Sequence, residues 1–347
     1  MRYIATPVMI AMRLVDLIHA AILRQDPCHN PFCRSPLPAP CSPCYVTYSP
    51  SPIRHPFRAL LYYPIMKIAI IGCGYVGSAL GKTLAVQRHD VVGTTTTPSR
   101  TDELRQLGLT PALLDVSNVD QLHNLLADRE AVYLTIAPTR RGTDYRDVYL
   151  AAAKALATAT ENTSAKRIIY TGSTRIYGQD DGSWVDETSP TDPRDENGRI
   201  LLQTEQTLLD MAAQPGAAAL RATPRKPVNV TVLRLGGIYG PDRDYRRRIR
   251  GLAGTTRTDG NLYVNLIHLD DIVQALVALL TVPYHGVLNL VDDSPEQRRA
   301  MYDRTLNEVN LPPIQWHKDE EATGLGKRVS NDLIKQTLGI TLMHPTH

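Results

Sequence analysis

The chain has 347 residues, a formal net charge of +3, and 21% charged against 43% hydrophobic residues. Such a composition suits a globular protein with one large domain or two modest ones, and it excludes nucleic acid or an anionic membrane as a default partner. The averages conceal a seam. Residues 1–65 hold no Gly, Lys or Glu but 11 of the 25 Pro, four of the five Cys and both Phe; they carry +4, which leaves −1 from Met66 onward.

In this leader the apolar stretch Val8–Leu23 is broken by Arg13, Asp16 and His19, too early for a bilayer span. No uninterrupted apolar centre with a small-residue cleavage site marks a signal peptide. Cys28, Cys33, Cys41 and Cys44 have a spacing that zinc sites use, yet Pro36, Pro38, Pro40 and Pro43 favour an extended chain. The leader is expected to be disordered or to lie outside the functional protein, with organelle targeting a lesser alternative. The working body runs from 66 to 345, and no metal site is expected in it.

From Met66 the chain alternates. Lys67-Ile-Ala-Ile-Ile71 is a β-branched run that meets Gly72-Cys-Gly-Tyr-Val-Gly77, after which Val76, Leu80 and Leu84 recur at helical spacing: strand, tight turn, helix. Short apolar runs follow at 90–93, 111–114, 131–136, 167–170, 228–235 and 287–291. Helical patterns at 145–158, 201–213 and 271–280 separate several of them. Pro-rich stretches at 189–194 and 223–227 read as surface loops. Ser294-Pro-Glu-Gln297 has the form of a capping box with proline in the first turn, which predicts a helix start there. The alternation predicts an α/β protein, a Rossmann-type doubly wound parallel sheet covered on both faces. Beyond Leu235 the order is less regular, and a small C-terminal substrate lobe is expected from 236–265 and 292–345.

The glycine motif stands where a dinucleotide needs it, after a buried strand and at the start of a helix. Gly72 permits the tight turn, Gly74 lets the backbone approach a pyrophosphate, and Gly77 lets helix and strand pack closely. The helix opening at Tyr75 and Val76 offers amide donors and a partial positive charge to the phosphates. About twenty residues on, NAD sites place a carboxylate against the adenosine ribose. Here Thr94-Thr-Thr-Thr97 stands instead, with Arg100 three residues later. Hydroxyls at Thr95 and Thr96 and a guanidinium favour NADP over NAD. Asp115, after the third strand, is a candidate partner for the adenine amino group or else a turn cap, and Ala137 after the fourth strand completes the expected cofactor set.

Four segments, Gly72–Gly77, Tyr170-Thr-Gly-Ser-Thr-Arg-Ile-Tyr-Gly178, Arg234-Leu-Gly-Gly-Ile-Tyr-Gly-Pro241 and Asn265-Leu-Ile-His-Leu-Asp-Asp271, resemble the extended and atypical short-chain dehydrogenase/reductases of the NAD-dependent epimerase/dehydratase family, in order and spacing. The resemblance implies that Ser173 hydrogen-bonds the substrate oxygen. It also implies a Tyr and, four residues later, a Lys that lowers its pKa. Counted back from Glu205, those places fall on Asn197 and Leu201, so the pair is missing, as in the atypical branch. An amide can orient a carbonyl but cannot move a proton. Asn197 and Arg199 remain as candidate catalytic residues beside Ser173, and Tyr177, Asp186, Glu187, Glu196 and His268 as alternatives, although Tyr177 reads better as packing and His268 as orienting a loop. Arg246, Arg247, Arg248 and Arg250 suit either a phosphate clamp or a solvated helix face.

The expectation is an NAD(P)-dependent oxidoreductase or epimerase-like protein, cytoplasmic and monomeric or homodimeric, acting on a sugar-nucleotide-like or other small hydroxylated substrate. The alternative is an NADP(H)-binding sensor without turnover.

Overall fold

The computed structural model describes residues 64–138, 144–161, 163–212, 228–317 and 324–345. The leader with its four cysteines and the loop expected at 223–227 lie outside them.

The first half of the body runs β1 (Lys67–Ile71), α1 (Tyr75–Val86), β2 (Asp90–Thr95), α2 (Thr101–Gln106), β3 (Thr110–Leu113), α3 (Val119–Leu126), β4 (Ala131–Leu134) and α4 (Ala151–Ala159). It continues through β5 (Arg167–Ser173), β6 (Asp181–Val185), α5 (Glu196–Leu209) and β7 (Asn229–Leu235). The second half contributes β8 (Gly237–Tyr239), α6 (Tyr245–Arg250), β9 (Thr256–Arg257), β10 (Tyr263–Val264), β11 (Leu266–His268) and α7 (Leu269–Ala278). Last come β12 (Gly286–Leu290), β13 (Glu296–Gln297), α8 (Arg298–Asn307), β14 (Gln315–Trp316), β15 (Gly326–Val329) and α9 (Asp332–Leu338).

Seven strands form one parallel sheet in the order β12-β7-β5-β4-β1-β2-β3. The chain winds outward from β1 to β3, then returns to β4 and winds the other way. The strand order therefore reverses between β1 and β4, and a crevice opens at their carboxyl ends, where open α/β sheets hold ligands. β1 reads as continuously apolar because both its faces are covered. Ile68 and Ile70 join a core with Leu80 and Leu84 of α1 and Ile272 and Leu276 of α7. Ala69 and Ile71 face the other way, toward Leu122 and Leu126 of α3, Leu156 of α4 and Leu208 of α5. The fold is thus the expected Rossmann-like α/β sheet.

Beyond β7 a smaller core gathers Ile249, Met301, Leu306 and Ile314, with Tyr245, Leu252 and Trp316 packed against it. The less regular stretch beyond Leu235, up to residue 265, contains β8, β9 and β10. The predicted helix start at Ser294 is a correction. Residues 296 and 297 pair instead with Val264 and Tyr263 of β10 in an antiparallel bridge, and the helix begins at Arg298. A tertiary partner took the backbone groups that a capping box would have used locally. No described helix is long and apolar enough to cross a membrane.

Candidate active site

At the end of β1 the chain turns at Gly72, whose φ is +94°; a Cβ there would also lie 2.9 Å from the Ile136 Cα. A Cβ on Gly77 would run into the Gly72 carbonyl. Gly74 is different: a Cβ on it would meet nothing within 4 Å, so this side of the turn is open. Gly74 is also the N-cap of α1 and has no side chain to cap it. The amides of Tyr75, Val76 and Gly77 therefore lack both an intrahelical and a side-chain acceptor and bring the positive end of the helix dipole to the crevice.

β2 is stitched to this turn. The Gly72 amide donates to Thr94 Oγ1 at 3.0 Å and the Cys73 amide to the Thr94 carbonyl at 2.9 Å. Thr95 is buried and its hydroxyl accepts from its own neighbour, the Thr97 amide, at 3.1 Å, whereas Thr96 is exposed. Arg100 reaches back to the glycine turn: Nη1 donates to the Cys73 carbonyl at 2.6 Å while Nε and Nη2 grip Glu103 at 3.0 and 2.8 Å. Asp115 is exposed and accepts from the Ser117 amide and hydroxyl, which hold its carboxyl below the ordinary range; that is the turn-cap arrangement. Ala137 is exposed, one residue past the Ile136 that presses on Gly72. Burial pushes the Cys73 thiol up to about 12, which removes it as a nucleophile at neutral pH.

The other end of the crevice is built by β5 and β7. Ser173 ends β5, half-buried; its Oγ accepts from the Arg175 amide at 3.2 Å and keeps its own proton to donate. Thr174 fixes this corner by donating to the Leu235 carbonyl at 3.2 Å. Asp195 caps α5, accepting from the Gly198 amide at 2.8 Å, and binds the Arg175 guanidinium through both oxygens. Asn197 and Arg199 follow in the first turn, with Arg199 exposed and 3.6 Å from Glu196. Leu201 is buried among Ile176, Tyr177 and Val185, with Tyr145 and Tyr149 packed on them. Where a lysine was sought there is an apolar core.

Several alternatives are occupied structurally. Tyr177 is buried; its hydroxyl accepts from Arg234 at 2.7 Å and lies 2.9 Å from Asn289 Oδ1. Glu187 accepts from the Asn289 amide at 2.6 Å, and burial raises its carboxyl pKa. Asp186 is held low by Thr188. His268 Nδ1 accepts from the Asp270 amide at 3.1 Å and so caps α7. His268, Asp270 and His344 do bring three metal-ligating atom types within 4.8 Å. The two imidazole centroids lie 3.6 Å apart and the His268 Nδ1 is engaged as the cap of α7, which leaves Nε2 as the ring nitrogen of His268 still free to bind a metal.

Lys327 is the residue that sequence reasoning missed. It lies on β15, which pairs with β6, and Nζ donates to the Tyr177 carbonyl at 2.7 Å. The Asn265 side chain bonds the Lys327 carbonyl and the Val329 amide at 2.9 Å each, while the Asn265 carbonyl accepts from the Gly237 amide at 2.8 Å. A continuous set of contacts therefore joins Lys327 to the ends of β5 and β7. Burial, and then the neighbouring Arg194, pull its ammonium pKa down. No spacing motif links residue 327 to 173; only strand pairing does.

In the smaller lobe Tyr245, Arg248, Arg257, Arg298, Met301 and Tyr302 line a cavity of about 250 Å³. Asp259 holds both Arg257 and Arg298. Of the four arginines at 246–250, Arg248 is the one that lines this cavity; all four are exposed.

Residues 68–290, most of the body, match the description NAD dependent epimerase/dehydratase family. The chain belongs to this family. Within and beyond it, the chain is 31% identical to protein YeeZ of Escherichia coli over 285 residues, 80% of this chain and 96% of YeeZ. A solved structure of a conserved protein from Silicibacter pomeroyi is 26% identical with a TM-score of 0.62, covering 81% of this chain and 95% of that one. UDP-glucuronic acid 4-epimerase from Bacillus cereus, solved with NAD, shares the fold at 20% identity with a TM-score of 0.64, covering 80% and 94%. The epimerase/dehydratase family binds a nicotinamide dinucleotide, and the open Gly74 side, the uncapped α1 amides and the glycine turn fit that group.

Proposed function

We propose that this chain is an NADP(H)-dependent oxidoreductase or epimerase-like enzyme acting on a sugar-nucleotide-like or other small hydroxylated substrate. The observation that carries the reading is the crevice at the strand reversal, where the uncapped glycine helix and the Ser173 hydroxyl meet at the ends of β1, β4 and β5. The dinucleotide, when bound, supplies the redox step; the protein binds, orients and excludes water around it. The glycine turn and the first α1 amides would hold the pyrophosphate. Arg100, fixed on the Cys73 carbonyl, and the exposed Thr96 favour the phosphorylated dinucleotide, because β2 itself ends in hydroxyls where NAD sites place a carboxylate; a 2′-phosphate would have to share Arg100 with Glu103. Ser173 would hold the reacting oxygen, and Lys327, whose Nζ donates to the Tyr177 carbonyl, would be a hydrogen-bond donor near that corner. The arginine-lined cavity suits an anionic substituent such as a phosphate. The lone body cysteine, buried and reduced, accords with a cytoplasmic setting.

A second reading, a dinucleotide sensor without turnover, is favoured by one observation: Leu201 is buried among apolar side chains and Asn197 cannot carry a proton. Thermal unfolding of the chain with NADPH, NADP, NADH and NAD tests both. Binding to the folded state alone raises stability by about 2.7 kcal/mol at one hundred times Kd. A shift with the phosphorylated pair is expected; no shift with any of the four overturns the reading. NADPH oxidation and sugar interconversion, both screened across nucleoside-diphosphate sugars, then separate enzyme from sensor, since a reductase consumes NADPH, an epimerase returns its hydride but converts the sugar, and a sensor does neither.

A further inference from the structure

The residue that opens the glycine helix is tied to a turn that lies 166 positions further along the chain. Tyr75 donates its hydroxyl to the Pro241 carbonyl, and the Arg243 guanidinium carbon lies over the Tyr75 ring, 4.2 Å from its centroid. The turn between them is strained in a definite way. Gly240 has φ +145° and Asp242, a residue with a Cβ, has φ +65°, with the Arg243 amide closing onto the Gly240 carbonyl at 3.0 Å. Non-glycine residues hold the left-handed region only where their surroundings impose it, and such positions cluster at ligand clamps. What the strain achieves here is the placement of Arg243: it points the guanidinium back across the turn onto Tyr75.

Among the described residues no carboxylate or carbonyl accepts a hydrogen bond from the Arg243 side chain, although it is flanked by Asp242 and Asp244 in sequence. Asp244 instead caps α6, accepting from the Arg246 amide at 2.8 Å, and Asp270 faces His268 and His344. Arg243 thus presents an exposed, unpaired fork, fixed by its aromatic platform, on the residue whose backbone amide heads the phosphate-binding turn. The cation–π contact with Tyr75 spends none of the five N–H donors in the guanidinium plane on a protein acceptor and restrains the side chain before a ligand arrives.

We propose that Arg243 is a cofactor-binding residue that clamps the dinucleotide pyrophosphate opposite the α1 amides. The inference rests on the dinucleotide reading of the glycine turn and deepens it. A pyrophosphate laid along the first turn of α1 would then be held from both sides, by backbone amides from β1–α1 and by a bidentate guanidinium from the β8–α6 turn. Because the pyrophosphate is common to NAD and NADP, Arg243 contributes to both alike, whereas Arg100 discriminates between them. Because the clamp belongs to the segment leading into the substrate lobe, cofactor binding and the position of that lobe are coupled through it.

Calorimetric titration of the full chain with NADPH and NADH tests this. Arg243→Gln, which keeps a planar side chain over Tyr75 but removes the charge, is expected to weaken both dinucleotides about ten-fold or more, as loss of a hydrogen bond to a charged group does. It should also flatten the dependence of affinity on salt. Arg243→Lys restores part of the loss as a point charge, and Tyr75→Phe, which frees the Pro241 carbonyl but keeps the platform, falls between. Unchanged affinity in an Arg243→Gln protein with the parent unfolding temperature overturns the proposal, as does a loss confined to NADPH, which would assign Arg243 to the 2′-phosphate. If the unaltered chain binds neither dinucleotide, the reading of the glycine turn fails first and this inference with it.

Discussion

Arg234 sits on β7 with 5% of its side chain exposed, paired to both oxygens of a Glu205 that is 4% exposed and donating to the Tyr177 hydroxyl. A buried pair of this kind adds little over an apolar pair of the same shape, but breaking it strands a charge. Glu205→Ala is therefore expected to lower the unfolding free energy by about 3–5 kcal/mol, and Arg234→Met combined with Glu205→Leu by much less; urea denaturation checks both, and equal losses in the two variants would contradict the argument. This pair was half legible in sequence. Glu205 was read as the acidic residue of the helix after β5, and Arg234 as part of a family segment, but nothing in the spacing paired them, because α5 and β7 come together only through the crossover. The same limit hid Lys327. A residue's chemistry can be read from its type, whereas its neighbours across the sheet cannot.

At the scale of elements, the periodicities were reliable and the ends were not. β1, α1 and the turn between them follow from one continuous pattern of apolar residues and glycines, and they stand where predicted. The helix expected from 201 begins at Glu196, because Asp195 accepts from the Gly198 amide and so starts it earlier. The helix expected at Ser294 was displaced by the β10–β13 bridge. α7 begins at Leu269 with a histidine as its cap, and that has a consequence for pH. Burial, with His344 beside it, holds the His268 pKa below its ordinary value of 6.5, and burial does the same to His89. As pH falls through 6.5 the unfolded chain takes up these protons before the folded one does, so unfolding free energy must fall below about pH 6.5. His268→Asn keeps an N-capping oxygen while removing the titration. Urea midpoints at pH 7.5 and 5.5 should then differ less in the variant than in the parent, and an identical difference would mean that His268 titrates normally.

The whole molecule is organised by one reversal of strand order. Every candidate site residue, from Gly72 to Lys327, lies beyond Met66, whose own amide is taken by His89 Nδ1 at 3.2 Å and whose carbonyl accepts from Asp90. We propose on that basis that the functional body is 66–345, with the substrate lobe contributed by 236–265 and 292–345. A chain beginning at Met66 is expected to unfold cooperatively and to bind NADPH with the affinity of the full chain; a ten-fold weakening would give the leader a part in the site. The sequence by itself determined the parallel sheet, the glycine turn and its helix, since each rests on local order: a period of apolar residues, a run of glycines at a fixed spacing. Only the tertiary structure decided that Tyr177 and Arg234 are spent on a buried network, that Arg100 reaches the glycine turn, that Lys327 bonds the Tyr177 carbonyl and that Arg243 lies over Tyr75. Those placements depend on the order of strands in the sheet and on pairings such as β6 with β15, which join residues about 150 positions apart with no local pattern to announce them.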